Sequence, residues 1–246
     1  MITMAAMPVR SQDAKPGIIG ADDRVPVESD GAPWDAIGQV NIGGYRSSGQ
    51  CSGTLIAPNL VLTAAHCVVD PWRMAPHPLH NIHFLAGVRR SESKGHATAK
   101  CLHFVASHQF AGPERTTRIA PKVTLDALRD DVVAIVLTQN LPIHPAPLAD
   151  PHPARPVVSL LHAAYPADRR SLLSVHKNCE RVQSPPGEAL WFTNCDTHEA
   201  SSGGPVFTRE DGVLKLVAIM VAASGHANVA LPMSQWRELT ARTACP

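Results

Sequence analysis

The sequence predicts an all-β fold, with short antiparallel strands set out as two groups and a short helix at the C-terminal end. Three observations predict it. The chain has 246 residues, enough for two lobes. Its 16 glycines and 22 prolines are spread along the whole length, which suits frequent turns rather than long helices. Apolar runs of strand length recur between turn signals, and few stretches of helical length carry a 3.6-residue period, so parallel βαβ units are disfavoured.

Taken in order, residues 1–33 are rich in Pro, Asp and Gly and show little periodicity, which reads as a leader followed by an extended arm. Strand-like runs follow at 37–42, 52–56, 60–64, 82–85 and 102–105, and again at 132–137, 157–161, 172–175, 189–192, 214–221 and 229–231. The segment LPIHPAPLADPHPARP at 141–156 is too proline-dense for a strand interior and reads as a connector. One strand group is therefore placed before about residue 125 and the other after about 140, boundaries being the least legible feature. Ser234 is suited to cap a short final helix carrying Trp236, Leu239 and Thr240, with Pro232 just ahead of it.

Composition narrows the function. Lys and Arg number 22 against 21 Asp and Glu, a formal charge of +1, so no broad field marks the chain for nucleic acid or an anionic membrane. No apolar run approaches the roughly 20 residues that a membrane-spanning helix needs. The six cysteines form no CxxC pair, which favours disulfides over a zinc or thioredoxin-type site and implies a secreted or periplasmic protein. The first twelve residues, MITMAAMPVRSQ, hold no apolar core of an export signal, so that signal is absent or truncated in this chain.

Three segments can carry chemistry: LVLTAAHC at 60–67, DDVVAIVL at 130–137 and SSGGPVF at 201–207. Singly each has an ordinary explanation: a histidine at a strand end, an acid capping a turn, a glycine turn stopped by Pro205. Together they supply an imidazole, a carboxylate and a hydroxyl, the three groups that nucleophilic acyl transfer uses, in the chain order His, Asp, Ser.

On these residues the chain resembles the chymotrypsin/trypsin-like serine endopeptidases from about Ile18 to its end. TAAHC at 63–67, SGGP at 202–205 and CSGTLIAP at 51–58 carry the likeness. IIGADDRVPV at 18–27 and NCDTHEASSGGPVF at 194–207 place it nearer the bacterial branch that includes the glutamyl endopeptidases. The resemblance implies two six-stranded antiparallel β-barrels with the active site between them and a C-terminal helix, divided as a leader or pro-segment over 1–17, a first barrel over 18–125, and a linker, second barrel and helix over 126–246. It implies His66 as general base, Asp131 as its orienting acid with Asp130 as rival, and Ser202 as nucleophile. The backbone N–H groups of Ala200 and Ser202 would form the oxyanion hole. The chain departs from the pattern at Ala200, where the family has glycine, and at Ser201, where zymogen-activated members have an aspartate that pairs with a newly released N-terminal amine. We therefore expect activity that does not depend on cleavage before Ile18 or Ile19.

The family's bridge over the histidine loop implies Cys51 with Cys67. Cys179 and Cys195 flank the approach to the serine loop and are the natural second pair, leaving Cys101 with Cys245. For substrate choice, Asp196 stands six residues before Ser202, where trypsin-like members bind Arg or Lys, which favours a basic residue. The glutamyl branch would instead use Thr197, with Asp196 as a structural acid, and would want a histidine about where Met220 falls. His77, His80 and His83 recur every third residue, but Pro76 and Pro78 break any helix that would align them, and neither a metal nor a cofactor motif is present. The expectation is a monomeric endopeptidase acting on protein or peptide substrates without a cofactor. The alternatives are a catalytically impaired homologue acting as a binding module and, last, an esterase, for which no GxSxG is present.

Overall fold

The computed structural model describes residues 16–44, 48–108, 124–150, 157, 159–184 and 188–246. The chain opens with strand β1 (Val25–Pro26), then β2 (Ile37–Ile42), β3 (Gly49–Ala57), β4 (Leu60–Thr63), the small pair β5 (Val69–Asp70) and β6 (Ala75–Pro76), β7 (Ile82–Ala86) and β8 (Gly95–Phe104). A five-residue helix α1 (Leu125–Arg129), capped by the Thr124 hydroxyl, precedes β9 (Val133–Leu137). The second half contains β10 (Leu160–Ala164), β11 (Ser174–Cys179), β12 (Trp191–Thr193), β13 (Pro205–Glu210), β14 (Val213–Ala222) and β15 (Asn228–Pro232).

Strands β2, β3, β4, β9, β8 and β7 close into a six-stranded barrel, every neighbour antiparallel. Both faces of its strands are buried: Ile37, Leu60 and Leu62 lie on one and Leu55, Phe84 and Ile135 on the other, all nearly inaccessible. The sixth strand, β9, lies beyond residue 125, so the expected first boundary falls inside this barrel, and the crossover to the second group begins only after Leu137. The second group is a seven-stranded sheet in the order β1-β11-β10-β13-β14-β15-β12. Two six-stranded barrels were expected. The second is a half-barrel: past β11 the chain runs alongside β12, with a bridge between Arg181 and Thr193, Val182 N–H donating to Phe192 O at 2.8 Å and Asn194 N–H to Glu180 O at 3.1 Å, beside a disulfide joining Cys179 and Cys195. Strand β1 extends it, so the arm expected to begin the first barrel packs on the second lobe.

The chain end also differs from expectation. Two short 3-10 turns, Met233–Gln235 and Arg237–Ala241, replace an α-helix, and no side chain caps them, since Pro232 rather than Ser234 stands ahead of the first. Trp236 and Leu239 are buried as expected, and the Trp236 indole N–H donates to Leu231 O at 3.1 Å. Three disulfides form, Cys51–Cys67, Cys101–Cys245 and Cys179–Cys195. The second ties the chain end to the first barrel. Among the described residues no helix is long and apolar enough to cross a membrane.

The two lobes meet through polar groups. Ser52, on β3 with 0% exposure, is the centre of this contact: its hydroxyl donates to Ala200 O at 3.1 Å and accepts from Tyr165 N–H at 2.9 Å. Its own N–H donates to Ser202 O at 2.9 Å.

Candidate active site

Strand pairing brings the histidine and the acid together. In the β4–β9 ladder Thr63 stands opposite Val133, so a chain continuing three residues past Thr63 and one starting two residues before Val133 meet at the same end of the barrel. His66 sits there in the 3-10 turn Ala65–Cys67, held by the Cys51–Cys67 bridge. Its Nδ1 is 2.6 Å from Asp131 Oδ2, and its backbone N–H donates to Asp131 Oδ1 at 2.9 Å. Both carboxylate oxygens thus face one residue, which places the proton on Nδ1 and leaves Nε2 as an acceptor toward the open side. The His66 side chain is 48% exposed and that of Asp131 9%. Burial lowers the His66 pKa, and the charge and hydrogen bond of Asp131 more than offset that, so His66 ends above the ordinary imidazole value. The rival Asp130 turns the other way and accepts from the Ser107 hydroxyl at 2.6 Å.

Ser202 lies on a tight loop between β12 and β13. Met220, buried in β14, clamps it: Gly203 N–H donates to Met220 O at 2.7 Å and Met220 N–H to Gly204 O at 2.9 Å. Gly203 has φ +77°, and a Cβ there would lie 2.1 Å from Thr63 Oγ1 and 2.3 Å from Ser52 O. Only glycine lets this loop press against β3 and β4 of the other lobe. Ser202 O is also 3.8 Å from Cys67 Sγ, next in sequence to His66. Among the described residues no hydrogen bond joins His66 Nε2 to the Ser202 hydroxyl.

Ala200 adopts φ +67°, the left-handed conformation that glycine takes without strain. The carbonyl of Glu199 accepts from Ala167 N–H at 2.7 Å. In a trans peptide C=O and N–H point opposite ways, so the Ala200 N–H is turned away from Ala167. Among the described residues neither Ala200 N–H nor Ser202 N–H has an acceptor. Ser201 is buried and uncharged in its contacts: its N–H donates to His198 O at 3.0 Å and its hydroxyl accepts from His198 N–H at 3.2 Å.

The residues expected around the substrate side chain are all buried. Asp196, 0% exposed, accepts from Ile19 N–H at 2.9 Å and Asp23 N–H at 2.8 Å. Its carboxylate is thus bonded to the N-terminal arm and also lies 3.3 Å from His176 Nδ1, so the residue expected to bind a basic substrate side chain is engaged inside the fold. Thr197 N–H donates to Gly17 O at 2.9 Å, and a Cβ on Gly17, at φ +89°, would lie 2.7 Å from Thr197 O. The Thr197 hydroxyl meets His162 Nε2 at 3.2 Å, while His162 Nδ1 is 3.1 Å from Pro205 O. The carbonyl requires Nδ1 to donate, so Nε2 accepts and Thr197 is the donor. Burial lowers the His162 pKa to about 4. The one local sign of His162 is a polar residue in the apolar run LLHAAY at 160–165.

Among the described residues two groupings have metal-donor atoms near one another, and in each some of those atoms are engaged within the protein. Beside His66 the sulfurs of Cys51 and Cys67 form a disulfide. In the group of Asp23, His176 and Asp196, the His176 Nδ1 accepts from Asp196 N–H at 2.8 Å. His83 pairs with His96, Nδ1 to Nε2 at 2.9 Å with stacked rings, rather than with His77 and His80.

A closed barrel facing a barrel-like sheet, with histidine, acid and serine segments at the junction, is the architecture of chymotrypsin-fold serine proteases. Solved structures share it. A Glu endopeptidase in complex with MPD superposes with a TM-score of 0.70 at 19% identity, covering 91% of this chain and 99% of that one. The VesB protease of Vibrio cholerae gives 0.65 at 17% identity, covering 88% and 65%. Protease Anisep from Arthrobacter nicotinovorans gives 0.62 at 18% identity, covering 85% and 97%. No curated protein matches in sequence. Residues 51–219 match the trypsin-like peptidase domain, and the chain belongs to that family.

Proposed function

We propose that this protein is a serine endopeptidase. Ser202 attacks the scissile carbonyl, His66 Nε2 takes its proton and returns it to the leaving amine, and Asp131 holds the imidazole in the tautomer that can accept. The N–H groups of Ala200 and Ser202 receive the developing oxyanion. Water activated at His66 then hydrolyses the acyl-enzyme. The observation that carries this reading is the 2.6 Å contact between His66 and Asp131, with the second carboxylate oxygen committed to the same residue. The lack of an acceptor for the two loop amides among the described residues supports it. Three disulfides and no free cysteine suit an oxidising, secreted or periplasmic location. Substrates are proteins or peptides, the chain acts as a monomer, and Asp196 serves the fold rather than the substrate.

A second reading, a binding module on the same scaffold, draws on the missing hydrogen bond between His66 and the Ser202 hydroxyl. Fluorogenic peptides with Arg, Glu, Phe or Ala at the cleavage position separate the two. Hydrolysis of any of them by the parent, abolished in Ser202→Ala, supports the endopeptidase. A parent as inert as Ser202→Ala across the panel and on denatured casein supports the binding module.

A further inference from the structure

Arg24 is the most engaged cation of the N-terminal arm, and it plays no part in the chemistry just described. Its side chain is 3% exposed. Nη1 donates to Asp168 Oδ1 at 3.1 Å and Nη2 to Asp168 Oδ2 at 2.7 Å, a two-pronged pairing. Nε and Nη2 also donate to the two oxygens of Asp22, at 2.8 and 2.9 Å. Arg169 closes the cluster by donating to Arg24 O at 2.8 Å and Asp22 Oδ2 at 3.1 Å.

Asp168 and Arg169 belong to the 3-10 turn Ala167–Arg169, and the first residue of that turn donates its N–H to Glu199 O. A continuous series of contacts therefore runs from the arm to the peptide that carries the Ala200 N–H. Asp168 also lies 3.9 Å from His198, whose carbonyl receives the Ser201 N–H. Ala200 holds a conformation that costs a non-glycine residue roughly 1–2 kcal/mol, so the peptide needs an outside hold to stay in it. Ser201 is uncharged and makes no ion pair within the loop.

We propose that Arg24 is a positioning residue for catalysis: by fixing Asp168 it holds the Ala167–Arg169 turn against Glu199 and keeps the Ala200 N–H aimed at the oxyanion. This rests on the endopeptidase reading of the same site. It also explains how the loop is supported without a newly released amine, because Arg24 lies C-terminal to Ile18 and is in place in the uncut chain.

The test compares the full chain with Arg24→Met, which removes the charge at similar length, and Arg24→Lys, which keeps the charge but loses the fork. Three readouts are taken, the third being kcat and KM on the best panel peptide. The first is the rate of covalent labelling of Ser202 by a fluorophosphonate reporter, with the labelled fraction at completion. The second is hydrogen exchange of the Ala167 amide, with β2–β4 amides as internal reference. The expected result is a labelling rate about 10²-fold lower in Arg24→Met, as for a lost oxyanion donor, at an unchanged final fraction. Arg24→Lys should recover part of the rate, and Ala167 exchange should rise at least tenfold while the reference stays put. On the best panel peptide the loss should fall on kcat, with KM moving less than about threefold.

Parent-like labelling and Ala167 exchange in Arg24→Met overturn the proposal. So does a uniform rise in exchange across both lobes, which marks general destabilisation. If the parent itself does not label, the endopeptidase reading falls, and the Ala167 exchange still decides whether Arg24 holds the turn.

Discussion

The two lobes solve the same packing problem differently. The first closes its hydrogen bonding around six strands and so needs little from outside. The second is a half-barrel sheet, joined from the segment past β11 to β12 by a bridge, two backbone hydrogen bonds and a disulfide, and its loops lean on other parts of the chain. The arm occupies Asp196, the Arg24 cluster braces the Ala167–Arg169 turn, and Ser52 of the first lobe holds Ala200 O. The division has a chemical counterpart. On the proposed mechanism His66 and Asp131, whose pairing fixes a tautomer, stand on the closed lobe, whereas Ser202 and its neighbouring amides stand on the lobe held in place by its contacts.

The largest test of this division lies at the junction. Ser202→Ala or His66→Ala should each lower turnover on a panel peptide by about 10⁶-fold, as members of one unit do. Asp131→Asn, which preserves shape but favours the wrong tautomer, should lose about 10⁴-fold. Comparable small losses at all three positions would mean that the lobes do not act together.

Next comes the packing of one lobe on the other. Gly203→Ala puts a Cβ into Thr63 and Ser52 at a positive φ, and should destabilise by about 3 kcal/mol, read from denaturant unfolding. Wild-type stability in that variant would show that the serine loop does not press on the first barrel.

The second lobe should also be the acid-sensitive one. His162 has a folded pKa of about 4 against an ordinary value of 6.5, so between these the unfolded chain binds a proton that the folded chain refuses. Stability should be complete above pH 6.5 and decline by roughly 3 kcal/mol as pH falls to 4. His162→Gln should flatten that decline in thermal unfolding across the same range, and an unchanged slope would assign acid sensitivity to other groups.

The smallest effect is expected at Ala200. Glycine there relieves the left-handed strain but gains freedom in the unfolded chain, so Ala200→Gly should stabilise by about 1 kcal/mol or less. Faster fluorophosphonate labelling in this variant would show that the alanine also restrains the hole.

What could be read in advance follows the same division. Residues 37–42 are bounded as a strand by turn residues and pack as one, and LVLT leads into the histidine turn as an apolar run that ends in two small alanines. The histidine and serine segments stood out because each is a short motif, whereas the cysteine pairs came from the family's histidine-loop bridge and, for Cys101 with Cys245 across 144 residues, from elimination. The preference for Asp131 over Asp130 came from the family resemblance, in which the acid directly precedes the apolar run, and it is Asp131 that contacts His66. That the second sheet would take β1 as a seventh strand was not legible, because such pairing joins distant segments. Nor was the arm: nothing local in residues 16–24 shows that Ile19 and Asp23 bond to an acid more than 170 positions away or that Arg24 bonds to Asp168. The same long-range pairing turned Asp196 from a candidate substrate contact into an internal acceptor.

The central claim is that a neutral His66, held by Asp131, activates Ser202, and the most direct test is the fluorophosphonate labelling rate of Ser202 from pH 5 to 9. Asp131 raises the His66 pKa, so the rate should climb to a plateau through a midpoint above 6.5 and collapse at every pH in His66→Ala. A rate that ignores pH across this range, or that survives in His66→Ala, would contradict it.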